Sequence, residues 1–213
     1  MSTNDGAVVG VIDYTTGNSR SVTRALNFLQ VPNRLLSSPG DLAGVDRIVL
    51  PGVGAAGTSM DYLEDAGWPA ALGELVAAGD MPFLGICVGL QLLFESSAEQ
   101  DARCLGWLPG MVRPFDRGQV RVPQMGWNQV RPHSGHPFVT GMPADDYFYF
   151  VNSYYAEPGN AADAAAMTEY GVPFASVIAR GNIMATQFHV EKSGKLGLEL
   201  LRRFAGLSRG ELC

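Results

Sequence analysis

Short apolar runs alternate with amphipathic runs along the first half of the chain. Residues 7–13, 46–54 and 81–86 are apolar, contain β-branched residues and are bounded by turn formers, which is typical of strands buried inside a sheet. Residues 32–37 are expected to add one more strand. The hydrophobic pattern therefore predicts four strands before residue 87.

The segments between these strands have helical periodicity. Residues 18–30 carry apolar side chains at positions 22, 25, 26 and 29, the spacing of one helix face. Residues 61–79 are predicted to be mostly helical with a break around 67–69, and residues 88–97 are predicted to form a helix. Strands that alternate with helices predict an α/β fold with a mostly parallel sheet covered on both faces.

The pattern changes after residue 105, where segments are short, bounded by turns and rich in strand formers. We expect them to form antiparallel hairpins added to the sheet. The segments are residues 105–115, 119–130, 146–158, 164–171, 173–181 and 182–190. An amphipathic helix over 192–207 is predicted to close the fold, and residues 1–213 are predicted to form a single domain.

Composition and charge exclude several classes of protein. The net charge of −6, without a basic cluster, argues against nucleic acid as a partner. No apolar stretch reaches 18 residues, so a membrane span is not expected. Cys87, Cys104 and Cys213 are widely separated, which favours a reducing cytoplasm over a disulfide framework. The absence of CxxC and HExxH patterns argues against a metal site, and no role is assigned to Cys104 or Cys213.

Cys87 lies where the apolar run ends and the amphipathic run begins. Gly85 and Gly89 flank it, so the backbone can turn sharply and present the side chain, as in a nucleophile elbow with sulfur in place of oxygen. The next amide, that of Val88, would then lie at a helix N-terminus and could stabilise an oxyanion. The motif alone also fits a buried structural thiol, since free cysteine is often buried.

A nucleophilic cysteine requires a general base, and three histidines are available. His133 and His136 lie in a polar loop and are expected to be solvated. His189 ends an apolar, strand-like run, and Glu191 follows two positions later. In an extended chain these two side chains point to the same side, so the carboxylate could orient the imidazole. A surface ion pair at a strand end is the alternative interpretation.

Three motifs together resemble the class I, or triad, glutamine amidotransferases: GICVGLQLLFESS, PGVG and QFHVEKS. DYTTGNSRSV, VPQMGWNQV and YFVNSYY extend the resemblance over nearly the whole chain to the glutaminase subunits of imidazole glycerol phosphate synthase. This resemblance implies a flavodoxin-like domain that hydrolyses L-glutamine through a cysteine thioester without a cofactor. It also implies a heterodimer in which ammonia passes to a (β/α)₈-barrel cyclase in histidine biosynthesis.

The resemblance also implies a role for individual residues. Cys87 would be the nucleophile, His189 the general acid and base, and Glu191 the group that orients His189. The implied oxyanion donors are the backbone N–H groups of Val53 and Val88. The residues implied to bind glutamine are Gly54, Gln91, Ser153 and Tyr154. The residues implied to contact the partner are Asn18 and Lys192.

Four positions depart from the pattern of that subfamily. Thr15 replaces a glycine, Gln124 and Asn152 each replace a histidine, and Val190 replaces a proline. Because the triad remains intact, these changes bear on the partner and the ammonia acceptor. A divergent paralogue that supplies ammonia in a surface-sugar or specialised-metabolite pathway therefore remains an alternative. Three further alternatives are a binding protein that has lost turnover, a hydrolase of the related cysteine-elbow type, and the glutaminase of pyridoxal phosphate synthase, which would be expected to carry GGES where this chain has PGVG.

Overall fold

A computed structural model describes residues 6–14, 18–77, 79 and 81–212. Thr15 and Cys213 lie outside the described residues. The described strands are β1 (Val9–Ile12), β2 (Asn33–Leu36), β3 (Arg47–Gly52), β4 (Phe83–Cys87), β5 (Ser96–Ser97), β6 (Ala102–Arg103), β7 (Gly110–Pro114), β8 (Gln124–Pro132), β9 (Asp146–Asn152), β10 (Tyr154–Pro158), β11 (Ala164–Tyr170), β12 (Val172–Arg180) and β13 (Ile183–Thr186). The described α-helices are α1 (Ser19–Phe28), α2 (Ala56–Asp65), α3 (Trp68–Ala77), α4 (Val88–Gln91) and α5 (Gly194–Gly206).

The centre of the sheet is parallel, which confirms the predicted α/β class. The described strands follow the order β2-β1-β3-β4-β13-β12-β10-β7-β5-β6, and every neighbouring pair from β2 to β13 is parallel. Antiparallel pairs in the second half of the chain, including β8 with β9 and β11 with β12, confirm the expected hairpins. All the residues of β1, β3, β4 and β13 are buried, as expected for strands covered on both faces.

The segment over 182–190 forms the expected hairpin and has a second neighbour that the sequence did not indicate. β13 does pair antiparallel with β12, but its other edge pairs in parallel with β4. A run of strand-forming residues does not show which strand will pair with the second edge of β13. That pairing depends on where the β12–β13 hairpin packs in the sheet. The consequence is functional, since the ends of β4 and β13 now lie side by side.

The predicted helix over 88–97 is also wrong in length. α4 ends at Gln91, and the chain then turns so that Leu92, Leu93 and Phe94 are all fully buried. Their carbonyl groups accept hydrogen bonds from the amides of Leu105, Gly106 and Leu108 instead of continuing the helix. Three consecutive apolar residues cannot share one face of a helix, so a turn buries them better.

The predicted helix over 18–30 agrees with α1. Val22, Ala25 and Leu26 are buried, and Leu29 packs against the core just after the helix ends. Helices α2 and α3 are separated at 66–67, next to the predicted break, and α5 closes the fold. Within the described part of the chain, no helix combines the length and apolar character needed to cross a membrane.

Candidate active site

Cys87 ends β4 in a strained backbone conformation, with φ of 56° and ψ of −107°. Residues with a side chain rarely adopt a positive φ, and such strain is common at functional sites. A Cβ at Gly85 would overlap the carbonyl of Gly89, and a Cβ at Gly89 would overlap the carbonyl of Leu50. The predicted reason for these glycines is thereby confirmed: the backbone around Cys87 packs too closely for side chains.

The Cys87 sulfur is nearly buried but lines a cavity, with 4% of the residue exposed. Besides His189, which also interacts with the sulfur, the carbonyl oxygen of Val151 lies 3.8 Å from the sulfur and the side-chain Nε2 of Gln187 lies 3.7 Å from it. β4 and β13 place Ile86 opposite Thr186, so Cys87 and Gln187 are the next residues at the same edge of the sheet. The carboxyl ends of parallel strands are where sites form in open α/β sheets.

His189 and Glu191 form a hydrogen-bonded pair in the interior. The Nδ1 atom of His189 lies 2.8 Å from Oε1 of Glu191, and their side chains are 3% and 0% exposed. The expected extended geometry is wrong: His189 caps a 3-10 turn over Val190–Lys192. The turn, and not strand alternation, brings the carboxylate back to the imidazole.

Asn18 is hydrogen-bonded to this pair. Its Nδ2 donates to Oε1 of Glu191 at 2.6 Å, so one carboxylate oxygen bonds both the amide and the imidazole. The side chain is partly buried, and its expected place at a partner surface stays a prediction. Oε2 of Glu191 is buried and has no hydrogen-bond partner among the described residues.

The environment of His189 favours its charged form. Burial lowers the pKa of His189, but hydrogen bonds and charge attraction from Cys87 and Glu191 outweigh burial and raise the pKa to about 10. An imidazolium beside a sulfur favours the thiolate, which is the nucleophilic form of cysteine. Burial raises the pKa of the Cys104 thiol to about 11.

A cavity of about 300 Å³ opens over the sulfur. Most of the residues singled out by the sequence line it; they are Val53, Gly54, Cys87, Val88, Gln91, Ser153, Tyr154, His189 and Lys192. Glu191 lies behind His189 and Asn18 behind Glu191. His133 and His136 do not line this cavity, and His136 instead contacts the carbonyl of Gly181 at 3.0 Å. The volume is at the lower end of the range for small-molecule sites.

Gln91 is buried, although it lines the cavity. Its Nε2 donates to the carbonyl oxygen of Tyr154 at 3.2 Å and to Oε1 of Gln187 at 3.1 Å. Both donor hydrogens are therefore used inside the protein, whereas its oxygen remains available as an acceptor. Ser153 and Tyr154 join β9 to β10 at the wall of the cavity.

Sequence reasoning missed two residues of the site. Glu99 lines the cavity and accepts a hydrogen bond from the amide of Ala56 at 2.8 Å. Burial raises the pKa of the Glu99 carboxyl group, and the hydrogen bond from Ala56 partly offsets this increase. Gln187 lies within the QFHVEKS motif, but no role was assigned to it. No local pattern marks Glu99, because its position depends on the turn after α4.

Two of the departures lie together at the wall of the cavity, which Asn152 lines. Gln124 and Asn152 are directly opposite each other on β8 and β9, and both are buried. Asn152 donates to the carbonyl of Tyr154 at 3.0 Å. Both side-chain polar atoms of Gln124, and Oδ1 of Asn152, have no hydrogen-bond partner among the described residues. Val190 is fully buried in the 3-10 turn that carries the His–Glu pair.

Comparisons with known proteins agree with this fold and site. A model of the family "Glutamine amidotransferase class-I" matches residues 11–206. A crystal structure of a glutamine amidotransferase superposes with a TM-score of 0.74 at 20% identity, covering 94% of this chain and 100% of that chain, which shows a shared fold. The fold and the family match define the protein as a class I glutamine amidotransferase.

Individual relatives give a narrower assignment. Subunit HisH of imidazole glycerol phosphate synthase from Dehalococcoides mccartyi is 43% identical over 205 residues, covering 96% of this chain and 99% of that protein. Its counterpart from Herpetosiphon aurantiacus is 45% identical over 206 residues, covering 95% and 97%. The chain belongs to the HisH family of imidazole glycerol phosphate synthase subunits.

Proposed function

We propose that this protein, as one domain over residues 1–213, hydrolyses L-glutamine and delivers the ammonia to a (β/α)₈-barrel cyclase subunit for histidine biosynthesis. The observation that carries the proposal is the arrangement of Cys87 and His189 around one cavity, with Glu191 hydrogen-bonded behind the imidazole. The cytoplasm is the proposed location, since Cys87 and Cys104 are free thiols.

The proposed chemistry begins with the Cys87 thiolate attacking the carboxamide carbon of glutamine. The backbone N–H groups of Val53 and Val88 stabilise the negative charge on the carboxamide oxygen in the tetrahedral intermediate. His189 gives its proton to the leaving nitrogen, so ammonia departs and a γ-glutamyl thioester remains on Cys87. His189 then accepts a proton from water as it attacks the thioester, and glutamate leaves. Glu191 keeps the imidazole oriented in both steps.

The walls of the cavity supply groups for the two ends of glutamine. The Glu99 carboxylate is suited to bind the α-ammonium group, because it is the acidic side chain that lines the described cavity. The backbone of Gly54 and the side chains of Gln91, Ser153 and Tyr154 are proposed to hold the remaining polar atoms of the substrate.

An exposed apolar surface supports a partner subunit. Met125, Trp127 and Tyr147 are large, apolar side chains that are 67%, 55% and 52% exposed. Strand alternation and the β8–β9 register place them on one face of the hairpin, together with Val151, which lines the cavity. Lys192 is exposed and lines the cavity as well. An apolar surface continuous with the active site is a suitable docking site for the subunit that receives ammonia.

The test combines the protein with a (β/α)₈-barrel cyclase and follows glutamate release and cyclase product. Wild type should support the glutamine-dependent reaction. Cys87→Ala should abolish it, whereas the cyclase should still use added ammonium salt. Glutaminase activity that persists in Cys87→Ala would refute the assignment of the nucleophile, and failure of wild type to release glutamate would refute the proposed function.

A further inference from the structure

Gln187 contributes a polar group to the active site that the reaction described above does not use. Its side chain is fully buried, and its Nε2 lies 3.7 Å from the Cys87 sulfur. Its backbone N–H donates to the carbonyl of Ser176 at 2.9 Å, which fixes the main chain beneath the side chain. A buried amide is costly unless its polar atoms have partners, so this placement calls for a physical explanation.

The orientation of the Gln187 amide is determined by a relay that starts at a backbone carbonyl. The oxygen of Tyr154 can only accept, so the group of Gln91 that faces it at 3.2 Å must be the nitrogen. The same nitrogen lies 3.1 Å from the Gln187 side chain, which must therefore present its oxygen there. The remaining atom of the amide, the NH₂ group, is the one directed at Cys87.

The opposite orientation of Gln187 would be unfavourable at both ends. It would place two NH₂ groups against each other at Gln91, and it would place a carbonyl oxygen against the sulfur. The side-chain oxygen and nitrogen of Gln187 are therefore assigned from their hydrogen-bond partners, because the two atoms have nearly the same shape.

We propose that Gln187 is a catalytic residue whose side-chain N–H donates a hydrogen bond to the Cys87 thiolate. A hydrogen bond to an ionised acceptor is stronger than one to a neutral acceptor, so the contact favours the reactive form of the sulfur. An amide cannot give up its proton at neutral pH, so it stabilises the thiolate without neutralising it. This distinguishes its role from that of His189, which must transfer a proton in each half of the reaction.

The backbone carbonyl at the sulfur acts in the opposite sense. The Val151 carbonyl, 3.8 Å away, can accept from a thiol but repels a thiolate. Gln187 therefore offsets an unfavourable contact as well as adding a favourable one. The inference rests on the proposed function for its role in turnover, but the hydrogen bond itself can be tested on the resting enzyme.

The experiment measures the rate of alkylation of Cys87 by iodoacetamide across the pH range in which the thiol ionises, with peptide mass spectrometry to separate Cys87 from the other cysteines. Gln187→Met keeps the approximate volume and removes the donor. We expect the rise of the alkylation rate to move to higher pH, so that below the wild-type midpoint, where the thiolate fraction limits the rate, alkylation is at least roughly 10-fold slower, the equivalent of losing a hydrogen bond to a charged group. We also expect a lower kcat with little change in the KM for glutamine.

Ser176→Ala is the matched control, because it removes a buried hydroxyl next to Gln187 that does not contact the sulfur. It should alkylate at the wild-type rate. If Gln187→Met does not fold, Gln187→Glu serves instead: it retains an acceptor for Gln91 but offers the sulfur a carboxylate, so alkylation should also be slowed.

A folded Gln187→Met or Gln187→Glu protein that alkylates at the wild-type rate would overturn the inference. Should both variants fail to fold, the wild-type side-chain amide resonance of Gln187 is followed by NMR as Cys87 is alkylated. A shift supports the hydrogen bond, and an unchanged resonance refutes it. Because these readouts do not require turnover, a protein without glutaminase activity would refute the proposed function while leaving the hydrogen bond testable.

Discussion

Glu99 provides the sharpest test of how the cavity recognises its substrate. The Glu99→Gln substitution removes the negative charge but keeps a side-chain oxygen that can still accept from the amide of Ala56, 2.8 Å away in the wild type. The start of α2 should therefore remain in place. The change is expected to act on the α-ammonium group of glutamine alone.

The expected loss follows from the strength of a charged hydrogen bond. Such bonds contribute about 1.5–3 kcal/mol, which corresponds to roughly 10- to 150-fold in binding. Glu99 is partly exposed, so solvent screening places the effect near the lower limit. We expect KM for glutamine to rise about 10-fold, with kcat nearly unchanged, because the α-ammonium group binds equally in the ground state and the transition state.

The assay is steady-state glutamate release with glutamine and with glutaramate, which lacks the α-ammonium group. The variant and wild type should use glutaramate equally well. Glu95→Gln is the matched control: Glu95 also accepts from a backbone amide, that of Gly110 at 3.0 Å, but it does not line the cavity. An unchanged KM for glutamine in Glu99→Gln, or an equal loss with both substrates, would refute the assigned contact.

Three further predictions concern the triad and the residues near it. Asn18→Ala should lower kcat about tenfold without changing KM, since a charge-assisted bond to Glu191 is lost; steady-state kinetics would contradict this if only KM changed. Cys87→Ala should lower the pKa of His189 from about 10, because it removes the sulfur that favours the imidazolium. An NMR titration that gives the same pKa in both proteins would contradict this interaction between the sulfur and the imidazole. Gln124→Met should raise the free energy of unfolding by about 1 kcal/mol, because it removes a buried amide without partners among the described residues. Denaturant unfolding measures this change, and a destabilised variant would show that the amide has hydrogen-bond partners.

The parts of the site that were predictable depend on local backbone rules. Gly85 and Gly89 around Cys87 indicate a sharp turn, and the structure shows that side chains there would overlap backbone atoms. The helix α1 was predictable because its apolar spacing matches one buried face. Both features are encoded within about ten consecutive residues, and periodicity or glycine placement is sufficient to detect them.

The parts that were missed depend on contacts between distant segments. The end of α4 is set by hydrogen bonds from Leu105, Gly106 and Leu108, which lie outside the apolar pattern of 88–97. Glu99 reaches the cavity only because of the turn that follows α4. β13 lies parallel to β4 because the β12–β13 hairpin returns to the centre of the sheet. Strand pairing of this kind is decided by tertiary packing, so no local rule predicts it.

The chemistry of the His189–Glu191 pair was anticipated from its spacing, but its geometry was not. Spacing of two residues fits both an extended chain and a tight turn, and the observed 3-10 turn makes the contact through backbone curvature. Asn18, which is 173 positions from Glu191 in sequence, completes this arrangement. A residue so distant cannot be linked to the triad by the sequence pattern alone.

The most direct test of the central claim is mass spectrometry of the protein quenched with acid during turnover of glutamine in the presence of its cyclase partner. We expect a population of chains that carry one additional γ-glutamyl group on the peptide containing Cys87, and no such population in Cys87→Ala. An adduct on a different residue would contradict covalent catalysis by Cys87. So would glutamate release that is equal in wild type and Cys87→Ala, with no adduct on wild type at any quench time.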